Sequence, residues 1–355
     1  MGTKHNILDR IQEMVHRRLL WATLVAYTIA AFVPRPGIWI RHASLGRSDL
    51  FGIQVNPSFP SLLLAVLLFN AGLGVQTGRL RALLRAPVVL LAGLLANLLV
   101  PLLFVLGMAQ MLRLWHNPVE VQCILLGLGI VASMPVAGSS AAWSQNSNGD
   151  LALSLSLVIF STCLSPFTTP LVLKSVGFMT SGEYAASLHD LSGGTSVFLL
   201  VFVMLPSLLG IGLRAMVADA RWRKLSSLVK LITALDLLVL CYSNATAALP
   251  QTVANPDWDF LAVMLAIVVT LCAIGFASGW AIARLLGTDR RQRAALMFGL
   301  GMNNNGTGLV LAGSALAHLP SVMLPVIFYN LVQHVAAAIT GHWASRKLLE
   351  TRSAV

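Results

Sequence analysis

A chain of 355 residues with 57% hydrophobic and only 10% charged residues has too few charges to clothe a soluble globule, since soluble domains carry about a quarter charged residues. Its mean hydropathy is +0.79, and its apolar residues fall in runs of 18 or more, long enough to cross a hydrocarbon core of about 30 Å. The net charge is +11, but Arg and Lys stand in short clusters between those runs, which is how membrane topology is set and not how a nucleic-acid surface is built.

Taken in chain order, residues 7–20 place Ile7, Leu8, Ile11, Met14 and Val15 on one helical face, a helix suited to the bilayer surface. Charge clusters and Pro/Gly/Asn punctuation then predict ten spans, near 19–33, 58–76, 87–109, 119–142, 150–173, 195–217, 226–248, 258–285, 294–316 and 319–345. The divisions that follow are an amphipathic N-terminus (1–18), a first five-helix repeat (19–175), an external connection (176–194), a second repeat (195–345) and a tail (346–355). Alternating the spans puts 19 basic residues on the side of the two termini and 5 on the other: Arg35, Arg41, Arg47, Arg113 and Lys174. The positive-inside rule therefore places both termini in the cytoplasm. Short polar loops point to a bacterial inner membrane. The cysteines, Cys123, Cys163, Cys241 and Cys272, lie inside apolar runs without metal-ligand spacing and read as small buried hydrophobes.

The two halves share a layout in which the fourth of five spans is interrupted, and an odd number of spans per half inverts the second relative to the first. In the fourth span, VASMPVAGSSAAWSQNSNGD, Pro135 lacks an N–H and clashes with the preceding turn. Gly138, Ser139 and Ser140 suit a restarting half-helix, whose free N–H groups and partial positive charge favour an anion. The bland alternative is a proline kink packed by neighbours. In the ninth span, ALMFGLGMNNNGTGLVLAGSALAH, four glycines surround Asn303, Asn304, Asn305 and Thr307. Asparagines at membrane depth are costly without partners, so this segment reads as unwound chain lining a polar site. Two broken spans at matching places point to a transporter binding site. His334 and Gln333 on the tenth span would face the same cavity, with an interhelical hydrogen bond as the alternative for His334. Asp236 on the seventh lies two turns from Lys230, at a water-accessible end. Tyr242, Ser243 and Asn244 form a polar band.

Residues 69–103 (FNAGLGVQTGRLRALLRAPVVLLAGLLANLLVPLL), 149–173 (GDLALSLSLVIFSTCLSPFTTPLVL), 235–250 (LDLLVLCYSNATAALP) and 299–312 (GLGMNNNGTGLVLA) resemble the bile acid:sodium symporter family. The resemblance implies an all-α membrane protein of two inverted five-helix repeats, with panel and core domains and the fourth and ninth helices crossing where each unwinds. It also implies transport of organic anions, such as bile acids, steroid sulfates or small carboxylates, driven by inward sodium. One sodium site of the family takes a Ser–Asn pair, two hydroxyl residues and a glutamate; the matching positions here read Ser140–Ala141, Ser154, Val158 and Gly299. A second site maps onto Asn97, Asn303 and ninth-span carbonyls such as that of Met302.

The sequence thus implies a carrier in which Gly138, Ser139, Ser140, Asn303, Asn304, Asn305, Thr307 and His334 meet a small organic anion, and Asn97, Ser140, Ser154, Met302 and Asn303 meet Na+. With the glutamate position reading Gly299, coupling would pass to protons through His334 or be absent. A receptor or sensor that kept the fold is the competing class, and a crossed-helix exporter is a third. No nucleophile–base pair, phosphate loop or clustered metal ligands argue for an enzyme or an enzymatic cofactor. The lipid bilayer is the implied partner, with no nucleic acid.

Overall fold

The computed structural model describes residues 19–44, 46, 48–50, 53–55, 57–75 and 86–353. The amphipathic stretch 7–20 lies almost wholly outside them. The elements are α1 (Leu19–Phe32), α2 (Arg35–His42), a short hairpin of β1 (Ser48–Leu50) and β2 (Ile53–Val55), α3 (Phe59–Leu73), α4 (Pro87–Met111), α5 (Pro118–Ser133) and α6 (Gly138–Asn146). There follow α7 (Leu151–Gly177), α8 (Gly182–Leu199), a π-helical turn (Leu200–Met204), α9 (Leu205–Met216), α10 (Asp219–Ala245), α11 (Leu249–Ala254) and α12 (Trp258–Leu285). The chain ends with α13 (Arg290–Gly301), α14 (Asn305–Ala315) and α15 (Met323–Ser353). In the hairpin, Ser48 pairs with Val55 in antiparallel register.

Local chemistry sets most of these boundaries. Pro34 separates α1 from α2, and the two axes meet at 95°. Side-chain acceptors cap the N-termini where the sequence supplies them: Asp150 accepts from Ala152 and Leu153 N–H at 2.8 and 3.1 Å, and Asp289 from Gln292 N–H at 2.7 Å. Such caps satisfy donors that the helix cannot.

Among the described residues, six helices are long and apolar enough to cross a membrane, where the sequence predicts ten spans. The shortfall has physical causes. The first predicted span bends at Pro34, α3 is only 15 residues long, and the fourth and ninth predicted spans are each split into two short helices. Within 176–194, expected to be an external connection, α8 begins at Gly182. Leu188 and Leu191 are buried along one face of it, and a Cβ at Gly193 or Gly194 would meet nothing within 4 Å, so the paired glycines do not break the helix. The predicted tail from 346 is likewise helical as far as Ser353.

The chain divides into two compact units. Unit one takes the described parts of Met1–Gly78, Val197–Pro256 and Leu309–Pro320. Its core gathers Leu64, Leu68, Leu199, Val203, Leu240 and Val310. There α3 and α9 cross backbone on backbone: a Cβ on Gly72 would lie 2.2 Å from Ser207 O, and one on Gly210 would lie 2.1 Å from Phe69 O. The Tyr242 hydroxyl secures the bend at Pro34, donating to Val33 O at 2.7 Å and accepting from Gly37 N–H at 3.1 Å.

Unit two takes the described parts of Arg79–Ser196, Asp257–Gly308 and Ser321–Val355. Its core gathers Leu90, Val136, Leu153, Leu157, Ala283, Ala295 and Leu296, drawn from α4, α7, α12, α13 and the break after α5. Trp143, Phe298 and Phe276 form an aromatic ladder that ties α6 to α13 and α13 to α12, with ring centroids 6.4 and 5.9 Å apart.

Candidate functional site

Two interruptions meet inside unit two. The first, Met134–Ala137, follows from Pro135 and separates α5 from α6; the second, Met302–Asn304, separates α13 from α14. Both are extended, and they pair as an antiparallel bridge centred on Val136 and Asn303. Ala137 N–H donates to Met302 O at 2.9 Å, and Asn304 N–H donates to Pro135 O at 2.8 Å. Each break thus supplies backbone partners that the other lost on leaving the helix, which is the condition for irregular chain at membrane depth.

Side chains satisfy much of what remains. Asn303 N–H donates to Gln333 Oε1 at 3.0 Å, and the Asn303 amide donates to Val131 O at 2.9 Å, the end of the helix across the bridge. Asn305 Nδ2 donates to Gln333 Oε1 at 3.0 Å and to Asn303 O at 3.1 Å. Gln333 Nε2 in turn donates to Asn330 Oδ1 at 3.3 Å. Asn304 caps the restarting α14 by accepting from Thr307 N–H at 3.3 Å. Of the sequence-predicted residues, Met302, Asn303, Asn304 and Asn305 therefore lie in this network, with Thr307 one turn into α14.

Ser140 is buried in the first turn of α6, while Gly138 and Ser139 beside it are exposed. The first N–H groups of that helix have no acceptor within it, so the accessible end of α6 presents free donors. Ser154 is committed elsewhere: its hydroxyl lies 2.8 Å from Ser144 Oγ and 2.9 Å from Asp150 O. His334 is half-buried and makes no hydrogen bond among the described residues; its neighbour Gln333 is the one that reaches the breaks.

Five buried side-chain oxygens on these elements have no hydrogen-bond partner: Asn97 Oδ1, Ser140 Oγ, Asn303 Oδ1, Asn305 Oδ1 and Thr307 Oγ1. Buried polar atoms are nearly always paired, so these five oxygens are the candidates for meeting a ligand. All five can accept, and hard oxygen donors of this kind suit a small hard cation. Among the described residues, no group of three or more His, Cys, Asp or Glu side chains is placed to hold a metal.

The position matching the family glutamate is closed by packing. A Cβ on Gly299 would lie 2.8 Å from Leu157 Cδ1, and one on Gly93 would lie 2.7 Å from Leu157 Cδ2. Leu157 is fully buried in the unit-two core, with Val158 packed at its edge. Apolar side chains fill the space beside Gly299.

A stripe along α7 was not recognised in the sequence. Ser161 Oγ accepts from Val136 N–H at 3.1 Å, and Thr169 Oγ1 donates to Ser133 O at 2.7 Å. With Ser154 and Ser165, these hydroxyls recur at intervals of seven, four and four residues, a helical spacing that could have found them. In unit one, Asp236 differs from its reading as a water-accessible acid. It is 6% exposed, and neither carboxyl oxygen has a hydrogen-bond partner. Asn244 is buried with both amide atoms unpartnered, whereas Tyr242 holds the α1–α2 bend.

Comparison with known proteins agrees with this architecture. The chain is 28% identical over 223 residues to the uncharacterized protein YbaS of Bacillus subtilis (strain 168), covering 62% of this chain and 69% of that protein. It is 25% identical over 316 residues to the uncharacterized sodium-dependent transporter YocS of the same organism, covering 88% and 91%. It is 26% identical over 224 residues to the probable sodium/metabolite cotransporter BASS1, chloroplastic, of Oryza sativa subsp. japonica, covering 62% and 51%. The pattern of the Sodium Bile acid symporter family matches residues 61–255. With the apolar helices that fit membrane spans, these matches identify a transporter and not an enzyme: the chain belongs to the sodium bile acid symporter family.

Proposed function

We propose that this protein is a sodium-coupled secondary transporter of small organic anions, working by alternating access in a bacterial inner membrane with both termini in the cytoplasm. In this reading the broken helices are the fourth and ninth of ten passes, arranged as two inverted five-helix repeats with a core and a panel. The observation that carries it is the antiparallel bridge between two helix breaks, in which Asn303 and Asn305 keep buried side-chain oxygens without a partner.

Asn97, Ser140, Asn303 and the carbonyl of Met302 hold one Na+ through hard oxygens; Ser154 positions Ser144 and α6. The anionic end of the substrate meets the free N–H groups at Gly138 and Ser139, where the helix terminus presents partial positive charge. Asn304, Asn305 and Thr307 bond its polar atoms, and His334 faces its body. The cation's charge favours the anion beside it, so each raises the affinity for the other by the same factor.

A second reading, an uncoupled or proton-coupled carrier, is favoured by one observation: Leu157 occupies the space beside Gly299, so the ion set contains no carboxylate. A thermal melt in sodium chloride against potassium or choline chloride separates the two. At sodium tenfold above its dissociation constant, mass action stabilises the folded state by about 1.4 kcal/mol. A sodium-specific rise that Asn97→Ala and Asn303→Ala each abolish, with sodium-dependent uptake of a labelled bile acid or four-carbon carboxylate into proteoliposomes, is the expected result. Equal melting in all three salts with sodium-independent uptake would replace it with the second reading.

A further inference from the structure

A cavity of about 400 Å³ lies in unit two, lined by no residue of either break, where α4 ends, α5 begins and the chain leaves α7. Gln110, Arg113, Trp115, Gln122, Phe178 and Thr180 are among the residues lining it. Several of its polar groups are already engaged. Trp115 Nε1 donates to Glu120 Oε2 at 2.7 Å, Gln122 Oε1 accepts from Ser181 N–H at 3.1 Å, and Thr180 Oγ1 donates to Gly177 O at 3.1 Å. Arg113 is different. It has no acidic partner among the described residues, and Glu120, the nearest acid in sequence, is turned to Trp115 and Asn117.

The depth of the cavity follows from helix length. α4 has 25 residues and α7 has 27, so at 1.5 Å per residue each is about 37–40 Å long and outlasts a hydrocarbon core of about 30 Å. Either helix can thus carry its C-terminal turn, Met111 or Gly177, beyond that core, and the exposed Arg113 and Lys174 favour placing this end, with the cavity, at headgroup level. Lys174, in the last turn of α7, is a second exposed cation at this end. Leu114 and Phe178 are 93% and 91% exposed; at that depth the neighbours of such side chains are acyl chains and interfacial lipid.

We propose that this cavity is a binding site for the phosphate head of an anionic membrane lipid, with Arg113 as its ligand and Gln110 beside it. The guanidinium meets phosphate oxygens in a fixed fork geometry, which an ammonium does not offer. Leu114 and Phe178 flank the glycerol and the upper acyl carbons. The site is separate from the bridge between the two breaks and uses none of its residues.

The test is native mass spectrometry of delipidated protein in detergent, titrated with phosphatidylglycerol or with phosphatidylcholine. The expected result is one saturable phosphatidylglycerol per chain, with phosphatidylcholine bound far more weakly. Arg113→Gln should weaken the phosphatidylglycerol complex roughly tenfold, the scale of one lost hydrogen bond to a charged group. Arg113→Lys should fall between the two, and Arg284→Gln, whose cation lies over Trp280, should bind as the wild type does. Arg113 is exposed, so equal melting temperatures will show that the variants are folded. Equal binding of the two lipids, or an Arg113→Gln variant that binds like wild type, overturns the proposal. So does displacement of the lipid by glycerol phosphate at comparable concentration, which would assign the site to a free phosphate.

Discussion

The contact between α12 and α13 sets the position of the second break, and it depends on a missing side chain. A Cβ on Gly279 would lie 2.6 Å from the carbonyl carbon and oxygen of Leu296 and from Met297 Cα. One turn earlier, a Cβ on Gly275 would lie 2.6 Å from Leu300 O. Ordinary contact begins near 3.4 Å, so Gly279→Ala must separate the two helices by about 0.8 Å locally. The obstructing atoms are backbone and cannot rotate aside. Overpacking of this kind costs about 1–3 kcal/mol, while replacing a helical glycine by alanine returns about 1 kcal/mol. Gly107→Ala in α4 isolates the second term, because a Cβ there meets nothing within 4 Å. Unfolding in detergent should therefore find Gly107→Ala more stable than wild type, and Gly279→Ala less stable than Gly107→Ala by about 1–3 kcal/mol. Since α13 leads directly into Met302 and Asn303, Gly279→Ala should also lose part of any sodium-dependent stabilisation, which Gly107→Ala keeps. Equal stability of the two alanine variants would refute the backbone contact as the determinant.

Gln333→Leu removes the acceptor of Asn303 N–H and Asn305 Nδ2 and should destabilise by about 1–3 kcal/mol in the same unfolding assay. Tyr242→Phe strips two backbone groups at the Pro34 bend of their partner, and a comparable loss of about 1–3 kcal/mol is expected, with no change in sodium response. At the start of α12, a hydrogen bond with Asp259 holds the Asp257 carboxyl above its ordinary value of 3.8. The folded chain then binds that proton more tightly than the unfolded chain, so the group's contribution is complete in acid and is lost as pH rises through its folded titration. Asp257→Asn retains an acceptor for Phe260 N–H and should melt with a flatter pH dependence above 3.8, a small effect because the carboxyl is fully solvated.

The residues that stop helices were legible because stopping is local chemistry. Pro135 and the Asn303–Asn305 run each mark a break that the structure contains. The asparagines, costly at membrane depth without partners, find them in Gln333 and Val131. What was not legible depends on which elements touch. Gln333 and His334 are equivalent in sequence, and only the facing of α15 selects Gln333 for the network. Asp236 sat near charges along the chain, yet packing withdraws both oxygens from water and from donors. The helix that begins at Gly182 holds two consecutive glycines, Gly193 and Gly194, whose weak helix preference is overridden by burial of Leu188 and Leu191.

Gly299 carries the same lesson to the question of ion coupling. From sequence alone, glycine at a glutamate position reads as a deletion that restoring the carboxylate would reverse. The structure makes that repair insufficient, because Leu157 has filled the space from the other side and is packed against Gly93 and Leu296. A carboxylate introduced by Gly299→Glu would be forced among methyl groups, and an unpaired buried charge costs several kcal/mol. Gly299→Glu alone should therefore lower stability by several kcal/mol without adding a sodium response. Leu157→Ala, which costs about 2–5 kcal/mol in a core on its own, should cost less in the Gly299→Glu background, because it opens room for the carboxylate. The double-mutant cycle measures this directly: a favourable coupling of 0.5–3 kcal/mol between the two positions is the range for residues in contact. Strict additivity would mean that Leu157 does not occupy the space beside Gly299.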